Sequence, residues 1–523
     1  MKKFNIIIAL ILSLLLIFSS CDIGLNQNEE SSTRTPEQNG ELSVTCNHED
    51  ANDDGKCDIC KGSVIVSIDF YAINDLHGKF ADTDSNIGVD ELTTYLKAMA
   101  EIDDNVVFLS SGDMWQGSSE SNLTKGMIIT EWMNHLDFAS MTLGNHEYDW
   151  GEEFIEANSE IAEFPFLAIN IFDKDDNKRV DYCSPSVVIE RDGIQIGIIG
   201  AVGDCYSSIS GEKTEGIYFK TGSELTSLVK AESERLRAQG VDYIVYSIHD
   251  GYEKNNYSAI EIANSELYGY YNAALSGGYV DLVFEGHTHQ RYVLIDEYGV
   301  YHLQNGGENK GISHVEIKIN SVNNNSTVTE AEFISSSVYS GLDDDTIVND
   351  LLEKYSDDIE KANIVLGANA RKRTSNEIKQ LVSELYLKYG SERWADKYSI
   401  VLGGGFISTR SPYDIDAGEV RYRDVQSVLP FDNTLVLCSI QGRYLISQFL
   451  ETDNKNYYIT LSEYGEDIKN DIDPNATYYI VTDTYSSSYP PNHLSVIEEY
   501  DNDIFARDLV AEYVKNGGWA NKS

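Results

Sequence analysis

What most constrains the fold of this chain is a succession of short strand-like runs, several of which end on the same few polar residue types. Val64–Ile73, Val106–Ser111, Phe138–Leu143, Phe164–Asn170, Ile194–Val202, Val241–Ile248 and Val280–Phe284 are rich in β-branched and aromatic residues and read as strands. Helical stretches at Glu91–Glu101, Ser223–Ala238 and Ser258–Leu275 lie between several of them. This alternation predicts a layered α/β architecture with a largely covered sheet. Polar clusters follow the strands. Asn74-Asp75-Leu76-His77-Gly78 follows the first, Gly112-Asp113 the second and Gly144-Asn145-His146-Glu147-Tyr148-Asp149 the third. His249-Asp250-Gly251 and Gly286-His287-Thr288-His289 follow two later ones. Ligands of open α/β sheets bind at the carboxyl ends of strands, so these loops are expected to converge on one rim.

Asp75, His77, Asp113, Asn145, His249, His287 and His289 are oxygen and nitrogen donors, a mixture that suits zinc, manganese or iron rather than a thiolate site. They are too many for one tetrahedral ion, whereas two ions sharing a carboxylate would use them all. Two ions about 3.5–4 Å apart activate a water and clamp both oxygens of an in-line phosphoryl displacement. Singly, each residue has a plainer explanation: a lone histidine is usually a satisfied polar group, and a lone Gly-Asp a turn. Of the 10 histidines, however, His77, His146, His249, His287 and His289 all fall in these clusters. His135, His302, His314 and His493 read as structural.

At 523 residues the chain is too long for one core, so two main domains are expected. A net charge of −47 repels phosphate backbones and anionic lipid, which argues against coating a nucleic-acid duplex. An anionic substrate would need metal ions or local arginines to hold it. Met1-Lys2-Lys3 and the apolar run Ile6–Phe18 form a basic and a hydrophobic region too short for a membrane span. The run closes on Phe18-Ser19-Ser20-Cys21, which resembles a bacterial lipoprotein signal over residues 1–20 with Cys21 lipid-modified. A plain secretory signal is the alternative. Either way export is expected, with a lipid anchor at the outer face of a bacterial membrane in the first case.

Residues 21–62 read as a flexible tether that carries a small knuckle. Cys46, His48, Cys57 and Cys60 could hold a structural zinc. Asp50-x-Asn52-x-Asp54-Gly55 matches the first half of a calcium loop, although its twelfth position is Lys61. A disulfide among the three cysteines is the third reading. Cys183, Cys205 and Cys438 read as buried hydrophobes.

Asp-x-His, Gly-Asp, Gly-Asn-His-Glu, His and Gly-His-x-His, in this order, resemble the calcineurin-like metallophosphoesterase superfamily. Asn74–Gly78 and Gly144–Asp149 resemble its 5′-nucleotidase family, including the bacterial UDP-sugar hydrolase type, over about residues 64–520. The resemblance implies an α/β fold: a dimetal β-sandwich domain flanked by helices (63–340), a linker helix (341–365) and a smaller C-terminal substrate-binding domain (366–523). Asp75, His77 and His289 would bind one ion, Asn145, His249 and His287 the other, with Asp113 bridging. His146 would face the phosphoryl group, oriented by Asp149; Glu147 receives no role. Arg373, Arg410 and Phe431 would contact substrate, and Tyr485 or Tyr489 could stand in for the family's second stacking ring. The run Leu402–Arg410 departs from the family's Asn-x-Gly-Gly-x-Arg loop, and its last aromatic loop is replaced by Asp483–Asn492. The implied activity is nucleotide hydrolysis by a metal-activated water. UDP-sugar hydrolysis and 2′,3′-cyclic-nucleotide hydrolysis are alternatives, and a non-catalytic surface ligand-binding protein is the reading from another class.

Overall fold

The computed structural model describes residues 48–59, 61–82, 88–251, 279–296, 298–410, 412–488, 493–500 and 504–520. The chain falls into two compact units, Met1–Ile65 and Val66–Ser523. The predicted knuckle lies in the first. Cys57 is fully buried and His48 exposed, while Cys21, Cys46 and Cys60 lie outside the described residues. The buried Asp50 carboxylate accepts the backbone N–H groups of Asp54 and Gly55, each at 3.0 Å, which closes the turn. Lys56 then bridges antiparallel to Ser63.

The larger unit is built on two six-stranded sheets. Strands β1 (Ile65–Ile73), β2 (Val106–Ser110), β3 (Ser140–Thr142) and β4 (Phe166–Leu167) run parallel. The chain continues through β5 (Ile171–Asp173), β6 (Ser186–Arg191), β7 (Ile194–Val202), β8 (Ile217–Phe219), β9 (Tyr243–His249) and β10 (Leu282–Glu285). Next come β11 (Arg291–Ile295), β12 (Tyr301–Asn305), β13 (Gly311–Asn320) and β14 (Ser326–Ser335). The sheets have the orders β14-β13-β1-β2-β3-β4 and β11-β12-β10-β9-β7-β6, with β5 and β8 paired separately.

The sheets pack face to face. Ile68, Phe70 and Leu109 of one share a core with Ile196, Ile198, Val245 and Phe284 of the other. Helices cover the outer faces: Asp90–Ile102 and Met127–His135 through Leu92, Leu96, Ile128 and Trp132, and Gly222–Ala238 through Leu225, Val229 and Leu236. Covered on both faces, β9 and β10 need unbroken runs of buried residues, which is what they have. The predicted strand Phe164–Asn170 is cut to β4 because Ala168 and Ile169 hydrogen-bond to Ser184 and Gly200 instead. The predicted helix Ser258–Leu275 lies outside the described residues. No helix among the described residues is long and apolar enough to cross a membrane.

The linker expected as one helix within 341–365 is broken into Thr346–Lys354, Ser356–Ile359 and a tight turn at Glu360–Asn363. The break falls at Tyr355, whose hydroxyl donates to Glu131 at 2.8 Å. Beyond it come β15 (Val365–Asn369), β16 (Ile400–Phe406), β17 (Gly418–Arg421), β18 (Leu435–Gln441), β19 (Tyr457–Leu461), β20 (Thr477–Asp483) and β21 (Ser495–Glu499). Five of these form a sheet of order β19-β16-β20-β18-β21, on which the helix Ser375–Trp394 packs Val382, Leu385 and Tyr386. Here the structure corrects the reading of Gly403-Gly404-Gly405 as a loop. These glycines are the interior of β16, flanked by β19 and β20. A Cβ at Gly403 would lie 2.3 Å from the Leu387 backbone nitrogen, so the glycines let the helix sit directly on the strand.

Candidate active site

Each polar loop leaves the carboxyl end of its strand, and the loops after β1, β2, β3, β9 and β10 meet. The backbone there is strained. Asp75, His77, Asp113, His287 and His289 have φ of 50°, 51°, 54°, 69° and 52°. Left-handed backbone costs a non-glycine residue about 1–2 kcal/mol, so this clustering marks conformations held for a purpose. Glycine serves where even that is insufficient: a Cβ at Gly144 would lie 2.3 Å from Asp113 Oδ1.

The ring nitrogens are aimed by their outer partners. His249 Nδ1 donates to the Ser111 carbonyl at 2.6 Å and His77 Nδ1 to the Gln116 carbonyl at 3.0 Å. Both Nε2 atoms thereby face the cluster. His77 Nε2 lies 2.9 Å from His289 Nε2, with Asp75 Oδ1 3.9 Å and 3.3 Å from the two. His249 Nε2 is 3.0 Å from Asp113 Oδ2, yet it is buried without a hydrogen-bond partner. His287 Nδ1 is 2.9 Å from Asn145 Oδ1. Buried carboxylates and buried or half-buried ring nitrogens converging in this way fit divalent cations.

Charge balance agrees. Burial, then the neighbouring His249, push the His287 pKa down to about 4. Burial and Arg410 hold His77 well below its ordinary value, so both rings stay neutral, the ligating form. Burial would raise Asp75 and Asp113, but the attraction of His289 for the first and His249 for the second prevails and both fall. For His249 burial is outweighed by Asp113, which lifts it to about 10, so the carboxylates draw positive charge to this point.

His146 stands beside the cluster. Its Nδ1 donates to Asp149 Oδ2 at 2.8 Å, and the Arg410 guanidinium reaches its Nε2 at 2.5 Å. Burial opposes charge on His146, but Asp149 and then Asp113 overcome it and raise its pKa. A cavity of about 630 Å³ opens here, lined by Asp113, Asn145, His146, Asp149, His287, His289, Arg410, Phe431 and Tyr485. Phe431 lies under the Arg410 guanidinium at 5.5 Å, and Tyr485 pairs with Phe406 at 5.8 Å between ring centroids. The Phe431 loop is pinned from behind. Arg507 donates to the carbonyl of Phe431 at 2.8 Å, and Lys125 to Asp432 at 2.9 Å.

One predicted substrate residue is not brought here. Arg373 is buried away from this cavity, donating to Asn369 Oδ1 at 3.1 Å and the Trp519 carbonyl at 3.4 Å. Its guanidinium joins parts of the C-terminal fold. Conversely, sequence reasoning missed Phe406, Trp150, Lys125 and Lys213, which also line the cavity. An aromatic beside a glycine run was the one available signal for Phe406. Cys205, read as a buried hydrophobe, is buried but donates to the His249 carbonyl at 2.9 Å, and burial keeps its thiol protonated. Its ring-nitrogen neighbours His249 and His287 lie within 4.8 Å of its sulfur.

Residues 68–291 match the family model of the calcineurin-like phosphoesterases. An apyrase of Tabanus yao is 26% identical over 416 residues, covering 72% of this chain and 72% of its own. Protein UshA of Yersinia enterocolitica is 24% identical over 507 residues, covering 84% and 90%. The crystal structure of a 5′-nucleotidase precursor from Thermus thermophilus shares the fold with a TM-score of 0.65 at 18% identity, over 86% of this chain and 96% of that one. Strained carboxylate and histidine loops on this sandwich therefore define a phosphoric ester hydrolase. Residues 68–291 carry a calcineurin-like phosphoesterase domain, and over most of its length the chain is similar to 5′-nucleotidases and to UshA.

Proposed function

We propose that the protein is an exported phosphohydrolase that uses two divalent cations to release phosphate from nucleotides. The observation that carries this reading is the contact of Arg410 with His146. Two groups able to carry positive charge lie side by side at the edge of a metal-ligating cluster, where a dianionic phosphoryl group would take the place of their mutual contact and be held by both. Asp75, His77 and His289 would hold one cation, Asn145, His249 and His287 the other, and Asp113, which neighbours both His77 and His249, would be shared. Bound there, the cations supply the Lewis acidity that makes water a nucleophile at neutral pH.

The chain's own residues do the rest. Asp149 keeps the proton on His146 Nδ1, so Nε2 faces the cavity, and the imidazolium stabilises charge as it develops on the phosphoryl oxygens. Arg410 pairs with a phosphoryl oxygen while its other face rests on Phe431. Phe431, Phe406 and Tyr485 offer flat apolar surface to a nucleobase. The cavity volume lies within the range of small-molecule sites, about 300–1,000 Å³. In this reading residues 63–340 carry the chemistry, 341–365 link and 366–523 supply the base-facing wall. Export rests on the pattern of residues 1–20, with Cys21 as anchor.

The test is phosphate release by the purified chain lacking residues 1–21, with manganese or zinc, from 5′-, 3′- and 2′,3′-cyclic nucleotides, UDP-sugars and 4-nitrophenyl phosphate. Release from 5′-nucleotides above the others is expected. Preference for UDP-sugars or cyclic nucleotides would move the substrate assignment, and silence on every substrate would favour a ligand-binding protein.

A further inference from the structure

The one residue of Gly144–Asp149 without a role is Glu147, and its surroundings are unusual. The side chain is fully buried, and among the described residues no lysine or arginine pairs with its carboxylate. Instead the carboxylate accepts backbone N–H groups from two different loops. Oε2 takes Asp113 at 3.0 Å and Gly144 at 2.7 Å; Oε1 takes Met114 at 2.8 Å and Trp115 at 3.3 Å. Three successive N–H groups turned on one anion form a nest, which requires left-handed backbone, and Asp113 with its φ of 54° supplies it. The lock is reciprocal, because Asp113 Oδ1 accepts the N–H of His146 at 2.8 Å.

We infer that Glu147 is the positioning residue that sets the bridging carboxylate against the phosphoryl-facing imidazole. It does so by clamping the β2 loop to the β3 loop through the backbone of Asp113. Its carboxylate touches neither cations nor substrate; it fixes the strained backbone from which Asp113 projects and the turn from which His146 projects. A neutral group of the same shape would not serve. The amide of glutamine would turn an N–H₂ group toward N–H donors, breaking half of the clamp. Aspartate keeps the charge but is one carbon too short to reach both loops.

This inference rests on the assignment of His146 to the phosphoryl group, and a double-mutant cycle separates the two. For wild type, Glu147→Gln, His146→Ala and the double variant, kcat and KM for 4-nitrophenyl phosphate are measured at saturating manganese, with metal content and unfolding temperature. Glu147→Gln is expected to lower kcat about 10- to 100-fold with KM within about 3-fold, and to cost less than about 3-fold more when added to His146→Ala, because both variants remove the same transition-state contact. Equal losses in both backgrounds, or an unchanged kcat, would overturn the inference. If Glu147→Gln does not fold, Glu147→Asp is read in the same cycle, with a smaller but equally non-additive loss expected; a wild-type rate would overturn the inference. A wild-type rate for His146→Ala alone would instead defeat the assignment on which it rests.

Discussion

Asp149→Asn tests the electrostatics of the site most directly. The His146 to Asp149 contact is 2.8 Å, with side chains 13% and 20% exposed. Two unit charges 4 Å apart at an effective dielectric constant of 20 interact by about 4 kcal/mol. Solvent in the adjoining cavity screens this pair, and halving the figure leaves about 2 kcal/mol. His146 is raised above its ordinary value, so its cation is complete below the folded-state pKa and is lost as pH rises through it. Asparagine still accepts from Nδ1, which preserves the tautomer while removing the charge. The alkaline fall of kcat should therefore move toward lower pH, with a much smaller change on the plateau. Bound cations lower the His146 pKa in wild type and variant alike and largely cancel in the difference. The assay is kcat for a 5′-nucleotide from pH 5 to 9.5 at saturating manganese. A uniform loss at every pH, with the alkaline limb unmoved, would refute Asp149 as the source of the His146 charge.

Three further outcomes are expected. His146→Ala should lower kcat about 100- to 1,000-fold, the usual cost of removing a preorganised charge-stabilising group, while metal content by atomic absorption stays near wild type. Chelation should abolish activity and lower the unfolding temperature, since each cation held at 100 times its Kd stabilises the folded chain by about 2.7 kcal/mol; manganese or zinc should restore both in a calorimetric scan. Tyr485→Ala should raise KM for a 5′-nucleotide about 10-fold or more, at about 1–3 kcal/mol per stacked base, and leave KM for glycerol 2-phosphate, which has no ring to stack, within about 2-fold in the same steady-state assay.

The catalytic half was legible because its residues are both rare and local. Strand periodicity located the ends of β1, β2, β3, β9 and β10, and ligand types are few enough for their clustering at strand ends to stand out. The C-terminal half was less legible because its site is assembled from residues that are ordinary in kind. One phenylalanine among 17, or one tyrosine among 34, carries no mark of facing a cavity. Arg373 and Arg410 both follow hydroxyl- or lysine-rich stretches, yet a folding contact with Asn369 claims the first and His146 meets the second. The glycine run misled for a related reason. Permissive backbone and close packing need the same residue, and only the neighbouring Leu387 decides which use is made of it.

Glu147 shows the deeper limit. Its role lies in backbone N–H groups, which every residue but proline carries, so no side-chain pattern could disclose it. What the sequence did contain was an unexplained cost: a carboxylate between His146 and the apolar Tyr148, in a segment that had to be buried. Burial and the neighbouring Asp113 raise its pKa to about 7, and the backbone N–H groups of Gly144 and Asp113 pull the other way, toward the charged form. The left-handed residues are expensive in the same sense. A fold that accepts several such penalties within one cluster would recover them on binding the cations and phosphoryl group proposed above. The strain at Asp75, His77, Asp113, His287 and His289 is therefore better evidence for the site than any one of its side chains, because packing alone would have relaxed it.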